Sequence, residues 1–245
     1  MRYISLLLAL ALFAPALFAG CSSNSTSTTG STYTSSPMAI GSGTLNSWIK
    51  TDASNKLTSI GITVSDAALA SLTTSDTMFD LPLPTGFSSV FKSIEVDYST
   101  HDPAPYNHPH LDPHFFMYDM NSRMSIMDGK DTMMPTNMMM PSGFMCLGTA
   151  EAMMGVHWMD TTAGEYHGMP FQCTFDYGTS MGNMEFYEVM CDKASLDSHA
   201  FKTLLGSVRR PTMMNGMMMT MSIPFSYTIN YDGNSHSTSI ELDGF

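Results

Sequence analysis

Phe171-Gln-Cys-Thr-Phe-Asp-Tyr-Gly-Thr-Ser-Met-Gly-Asn-Met-Glu-Phe-Tyr-Glu-Val-Met190 is the stretch that decides the fold class. Two runs rich in aromatic and β-branched residues, Phe171 to Tyr177 and Met184 to Met190, flank the turn formers Gly178 to Gly182. Side chains that fill a pleated surface on both sides of a Gly-bearing loop read as a β-hairpin. Outward from it, similar short runs recur at Leu57 to Val64, Ser93 to Tyr98, Phe115 to Tyr118, Ile223 to Tyr231 and Ser237 to Leu242, the last two joined through Asp232-Gly233-Asn234. Two short helices are expected, one from Ser65-Asp66 through Leu72 and one from Lys193 to Leu205. Residues 38–245 show no repeat, heptad or further linker. The expectation is one mainly β domain, an antiparallel β-sandwich or barrel-like fold with one or two short helices.

Residues 1–20 read as a secretory signal, in which Arg2 precedes the apolar run Ile4 to Phe18. Pro15 interrupts that run, and it is short of the roughly 20 apolar residues that a spanning helix needs. Phe18-Ala19-Gly20-Cys21 resembles a bacterial lipobox, with Phe where Leu is more usual, so residues 1–20 are expected to be a lipoprotein signal peptide and Cys21 to be acylated. Acyl chains would then hold the protein on a lipid bilayer. An ordinary signal peptide with a nearby cysteine is the alternative. Residues 21–37 are almost all Ser, Thr, Gly and Asn and are expected to form a flexible tether. Ser22 favours the outer membrane, facing the periplasm or the cell surface. In an oxidising compartment one disulfide is expected among Cys146, Cys173 and Cys191, with the pairing left open.

Lys and Arg total 10 against 22 Asp and Glu, a formal charge of −12. Phosphate binding needs clustered cations, so a nucleic-acid partner is excluded.

Four of the eight histidines fall within His101-Asp-Pro-Ala-Pro-Tyr-Asn-His108-Pro-His110-Leu-Asp112-Pro-His114-Phe-Phe116. Pro109 and Pro113 favour extended backbone, and the period of two then puts His110, Asp112 and His114 on one face. Further polar elements are Met154-Gly-Val-His157-Trp158-Met-Asp160, Glu165-Tyr-His167-Gly168 and Glu185-Phe-Tyr-Glu188-Val-Met190. A carboxylate such as Glu188 inside an apolar strand is costly unless it is paired or holds a cation. Pairing with Arg123 or Lys193 is one solution. The other is that His110, His114, His157 and Glu188 converge on one divalent metal, with His101, His108, Asp112 and Glu165 as supporting groups or alternative ligands. Three imidazoles and a carboxylate suit zinc, copper, iron or manganese. Hydrogen-bonded structural histidines are the competing explanation for His110 and His114, and His199 and His236 read as solvated surface residues.

The order of these blocks carries a resemblance. Pro109-His110-Leu-Asp112-Pro-His114-Phe-Phe, Met154-Gly-Val-His157-Trp158, Glu165 with Gly168, Thr174-Phe-Asp-Tyr177-Gly178 and Phe186-Tyr-Glu188-Val-Met190 resemble successive blocks of an uncharacterised secreted bacterial family. It is typified by a Thermus protein under extracytoplasmic sigma-factor control. The chain departs from the family pattern at Pro113, in a shorter approach around His101, and at Val189 where Pro is usual. The resemblance implies a β-rich fold and a shared polar site, and no reaction.

Methionine is the most unusual component, at 26 residues. Met117, Met184 and Met190 suit core packing. Met133, Met134, Met138, Met139 and Met140, and then Met213, Met214, Met217, Met218, Met219 and Met221, stand among turn formers instead. Clustered thioethers are donors for soft ions such as Cu(I). A partner surface, or oxidant scavenging, would use the same residues. The expected function is an envelope-anchored metal-binding lipoprotein for copper sequestration, delivery or stress tolerance. The alternatives are a mononuclear metalloenzyme of hydrolase or oxygenase type, with Trp158, Tyr166, Tyr177 and Glu165 near the metal, and a structural or assembly protein. A homo-oligomer or an envelope protein is the expected macromolecular partner.

Overall fold

A computed structural model describes residues 30–245, apart from residues 74, 101, 136–137, 201 and 214–221. The signal peptide, Cys21 and residues 21–29 of the expected tether therefore lie outside the described residues. The chain opens with β1 (Thr32–Thr34), β2 (Met38–Ile40), β3 (Gly43–Thr51), β4 (Leu57–Ser65) and the short helix α1 (Asp66–Leu69). Next come β5 (Thr77–Leu81), β6 (Ser93–Ser99), β7 (His110–Phe116) and α2 (Met120–Arg123). A stretch of short strands follows: β8 (Gly129–Lys130), β9 (Met138–Met139), β10 (Phe144–Cys146), β11 (Thr149–Ala150) and β12 (Val156–Asp160). After a 3₁₀ turn at Gly164–His167 come β13 (Cys173–Ser180), β14 (Asn183–Asp192), α3 (Lys193–Asp197), β15 (Thr203–Ser207), β16 (Thr212–Met213), β17 (Ser226–Asp232) and β18 (Ser237–Asp243). Among the described residues no helix is long and apolar enough to cross a membrane.

Two seven-stranded antiparallel sheets result. The first runs β1-β3-β4-β18-β17-β15, with β2 also on β3; the second runs β10-β12-β13-β14-β7-β6-β5. Neither closes on itself, so of the two expected shapes the sandwich is the one formed. Leu45, Ile49, Ile60, Ile62, Ile229, Ile240 and Leu242 of the first sheet and Ile94, Val96, Leu111, Phe115, Tyr187 and Val189 of the second enclose one shared core. Both sets follow the period of two that places alternate residues on one face of a strand. On β7 and β14 the alternate residues are buried as well. The outer face of the second sheet is therefore covered by the chain's own loops, and that face carries the histidines and carboxylates.

The deciding hairpin is β13–β14. Its strands run to Ser180 and restart at Asn183, so the loop is Met181-Gly182 alone and not the five residues expected. Both loop residues have left-handed φ, 49° and 75°, as the twist-matching two-residue hairpin turn requires. Cys173 and Cys191 lie directly opposite each other on this ladder and form the disulfide, leaving Cys146 free.

Three expectations are corrected. Residues 30–37 are not tether: Thr32–Thr34 pairs with β3, Tyr33 stacks on Phe87, and its hydroxyl donates to Asn55. Threonines low in hydrophobicity still favour strands, and one aromatic ring supplies the anchor. The expected helix to Leu205 ends at Asp197, because His199 takes a left-handed φ of 50° and Thr203–Ser207 then pairs with β17. Likewise α1 stops at Leu69 although its cap, Ser65 accepting from Ala68, is where it was expected.

Gly178, beside a bulge in β13, faces the ring of Phe186, which fills the space that a side chain there would need. Gly178→Ala is expected to lower the unfolding free energy by about 1–3 kcal/mol, the usual range for overpacking. Denaturant unfolding of the variant beside the wild type measures it.

Candidate metal centre

The centre is built from three strands of the second sheet, the adjacent β7 and β14 and, across β13, β12. In the β14–β7 ladder Glu188 sits directly opposite His114, and in the β6–β7 ladder Glu95 sits opposite His114 from the other side. Asp176 of β13 lies opposite Glu188. Glu95, His114, Glu188 and Asp176 thus form one row across four strands, on the face turned away from the shared core. His157 reaches the row from β12, where it is paired with Gly178. His114 Nε2 lies 3.5 Å from one oxygen of Glu188, and His157 Nε2 lies 3.3 Å from the other. Phe186 holds both imidazoles, its ring centre 5.0 Å from each.

His114 and Glu188 are almost fully buried, yet both ring nitrogens of His114 and Oε2 of Glu188 lack a hydrogen-bond partner. An orphaned buried polar atom costs roughly 1–3 kcal/mol. Donor separations of 3.3–3.5 Å match the edge of a tetrahedron with bonds of about 2.0–2.1 Å. Buried His114, His157 and Glu188 could hold a metal ion.

Protonation sharpens this picture. Burial lowers His114 to about 4, so its imidazole is neutral and ready to donate lone pairs at physiological pH. Burial acts the same way on His157, but the Glu188 carboxylate outweighs it and holds the ring up at about 9. Burial also opposes ionisation of Glu188, and its imidazole neighbours overcome this and bring it down to about 2. Since His114 is neutral, the charge that sustains Glu188 comes from His157. Asp97, whose Oδ2 is 3.8 Å from His114 Nδ1, is raised to about 8 by burial and by surrounding carboxylates.

Other residues of the expected site fall elsewhere. His110 is not part of this group. It shares a face with His114, as the period of two requires, but four residues of strand put their Cα atoms roughly 13 Å apart. Its Nε2 lies 2.8 Å from Asp102 and 3.1 Å from Asp112, and its Nδ1 donates to the His108 carbonyl. All three partners are acceptors, so both nitrogens carry protons. Burial alone would lower this imidazole, and Asp102 and Asp112 instead raise it to about 11. Asp112 therefore pairs with His110 and does not join the centre. His108 is exposed and contributes only its carbonyl, and His101 lies outside the described residues. Glu165 accepts from the Tyr106 hydroxyl at 3.0 Å and braces the covering loops instead of facing the metal group. Neither cation considered for Glu188 reaches it: Arg123 pairs with Glu95 at 2.6 Å and Lys193 with Asp197 at 2.5 Å. His199 stacks on Tyr231 and approaches Asp66, so it is not simply a solvated residue.

Asp97 and Glu95 escaped the sequence reading, and Arg123 entered it only as a possible partner of Glu188. The alternation Ile94-Glu95-Val96-Asp97-Tyr98 was a usable signal for the first two, since it sets both carboxylates on the face opposite the core residues. Arg123 is fully buried, stacked 3.6 Å from the Phe116 ring centre, with Nε donating to the Met153 carbonyl. Nothing in its local sequence distinguishes it from a surface arginine.

The methionine clusters divide. Met138 and Met140 are core residues, whereas Met133, Met134 and Met139 are exposed. β9 pairs with β16, and the register aligns Met138 with Met213. Met214, Met217, Met218, Met219 and Met221 lie outside the described residues. A different set of thioethers lines the cavity over the centre. A cavity of about 570 Å³ opens over His114, His157 and Glu188 and is lined by Met78, Met145, Met154, Met159 and Met190. No protein-family model, curated protein or solved structure matches the chain.

His157 must release its ring proton before Nε2 can bind a metal. With that proton held up to about 9, the apparent association constant should rise about tenfold per pH unit from pH 6 and level off above pH 9. Competition titrations across this range measure the slope, and a flat profile would remove His157 from the ligand set.

Proposed function

We propose that this protein binds a transition-metal ion in the cell envelope through His114, His157 and Glu188, with copper the favoured metal and sequestration or delivery the role. The observation that carries the reading is His114: a buried neutral imidazole with two unpartnered nitrogens, set against a second imidazole and a carboxylate. Two imidazoles and a carboxylate accept zinc, iron, manganese or copper alike. What supports copper is the cavity wall, since thioethers bind Cu(I) without needing deprotonation and five methionines line the cavity. The acylated Cys21 would fix the protein at the membrane where such an ion is captured.

A second reading is supported by the same cavity. Three protein ligands leave a coordination position free, and catalytic metal sites keep one open for water or substrate. A cavity of about 570 Å³ is large enough for a small substrate.

Elemental analysis of protein purified from its native envelope separates the readings. Retained copper that survives dialysis is the expected result, and a single zinc or iron with an exchangeable water would favour catalysis. His114→Ala should lower metal affinity by more than the roughly 10–100-fold that loss of an outer hydrogen-bond partner costs. Unchanged metal content in that variant would refute the centre. Replacing Met154 and Met159 together with Leu should weaken Cu(I) retention while leaving zinc binding as it was.

A further inference from the structure

The same sheet face carries a second group of donors that the first centre does not use. His110 Nε2 faces Asp102 Oδ2 at 2.8 Å and Asp112 Oδ2 at 3.1 Å, and His110 and Asp112 are buried. Nδ1 donates to the His108 carbonyl, the kind of contact that fixes the ring of a metal-bound histidine and aims its other nitrogen. Asp112 is 4% exposed and its Oδ1 has no partner. Asp97 lies directly opposite Asp112 in the β6–β7 ladder, and its Oδ1 is also unpartnered.

Like charges directly across a ladder repel. Here Asp97, which burial and the surrounding carboxylates push up to about 8, stands beside Asp102 and Asp112 around one imidazolium. The cavity that Asp97, Asp102 and Asp112 line has six carboxylates in its wall, and none of its lining residues is Lys or Arg. Beyond the His110 imidazolium, no lysine or arginine among the lining residues adds positive charge.

We propose that Asp102, His110 Nε2 and Asp112 form a second divalent-cation site, so that one cavity serves two ions of different ligand character. The first site is richer in nitrogen and the second in oxygen, a set suited to Zn²⁺ or Mn²⁺. Binding exchanges the Nε2 proton, which passes to solvent, for the ion, which takes up that lone pair. The Nδ1 proton stays on the His108 carbonyl. A doubly charged ion replaces a singly charged imidazolium between Asp102 and Asp112, and the unpartnered Asp112 Oδ1 gains a cation beside it.

Equilibrium dialysis of the full chain against Zn²⁺, with bound metal counted by elemental analysis, tests this site separately from the first. Wild type should bind two ions, His114→Ala one, Asp112→Asn one and the double variant none. Asp102 is half exposed, so Asp102→Asn spares the fold and should weaken the second ion at least tenfold, with circular dichroism confirming the β signal. A count in Asp112→Asn and Asp102→Asn equal to wild type overturns the second site. One ion that is lost in His114→Ala and kept in Asp112→Asn overturns it too, while leaving the first centre standing. One ion kept in His114→Ala and lost in Asp112→Asn supports the second site and removes the first.

Discussion

The pairing of β14 with β7 sets Glu188 opposite His114, and the polar face depends on that register. Because side chains alternate along a strand, a slip of one residue would turn Glu188 and His114 into the shared core and bring Tyr187 and Phe115 out. Several features hold the alignment. The Met181-Gly182 turn admits one register for β13 and β14, the Cys173–Cys191 disulfide ties the far end of the same ladder, and Gly178 leaves room for the Phe186 ring. Phe186 in turn touches both imidazoles, so the packing that fixes the hairpin also places the donors.

Sealing a titratable face beneath loops creates a charge problem that the protein solves residue by residue. Arg123 neutralises Glu95, and His110 stands between Asp102 and Asp112. Asp176 is held well above the ordinary carboxylate range by burial, and Glu185 is raised to about 8 for the same reason, with Arg123 acting against the shift. These are the three means open to a buried acid: a guanidinium, an imidazolium, or its own proton. The neutral imidazole of His114 has no hydrogen-bond partner at all. Its two free nitrogens leave the centre under-satisfied, which separates a site awaiting a ligand from a finished structural network.

Much of the fold was legible because hairpins are local. Alternation plus Gly-bearing turns located β13, β14, β17 and β18 to within three residues at each end, and the Ser65 cap marked α1. The short cover strands were not legible, since two- or three-residue ladders such as β8–β11 carry no periodic signal. Of the four expected ligands, His114, His157 and Glu188 come together and His110 does not. Periodicity told which face His110 occupies and was silent on how far along that face it lies. Asp102 lies in a loop before β7, with no alternation to link it to His110, so that pair emerges only from tertiary structure. The disulfide was undetermined for a related reason: three cysteines allow three pairings, and the ladder register selects one.

The acidic lining of the cavity also acts on whatever approaches it. Its wall carries six carboxyl groups and no lysine or arginine, and although Asp97 is pushed up to about 8 and His157 is cationic, acidic groups outnumber them. The concave wall focuses the field of these acidic groups at the opening. Phosphate esters, carboxylic acids and other anions meet a repulsive potential before any donor atom can act, while cations are drawn inward faster than diffusion alone delivers them. Selection by the sign of charge therefore precedes selection by coordination chemistry. Capture of a cation would slow as added salt screens the wall.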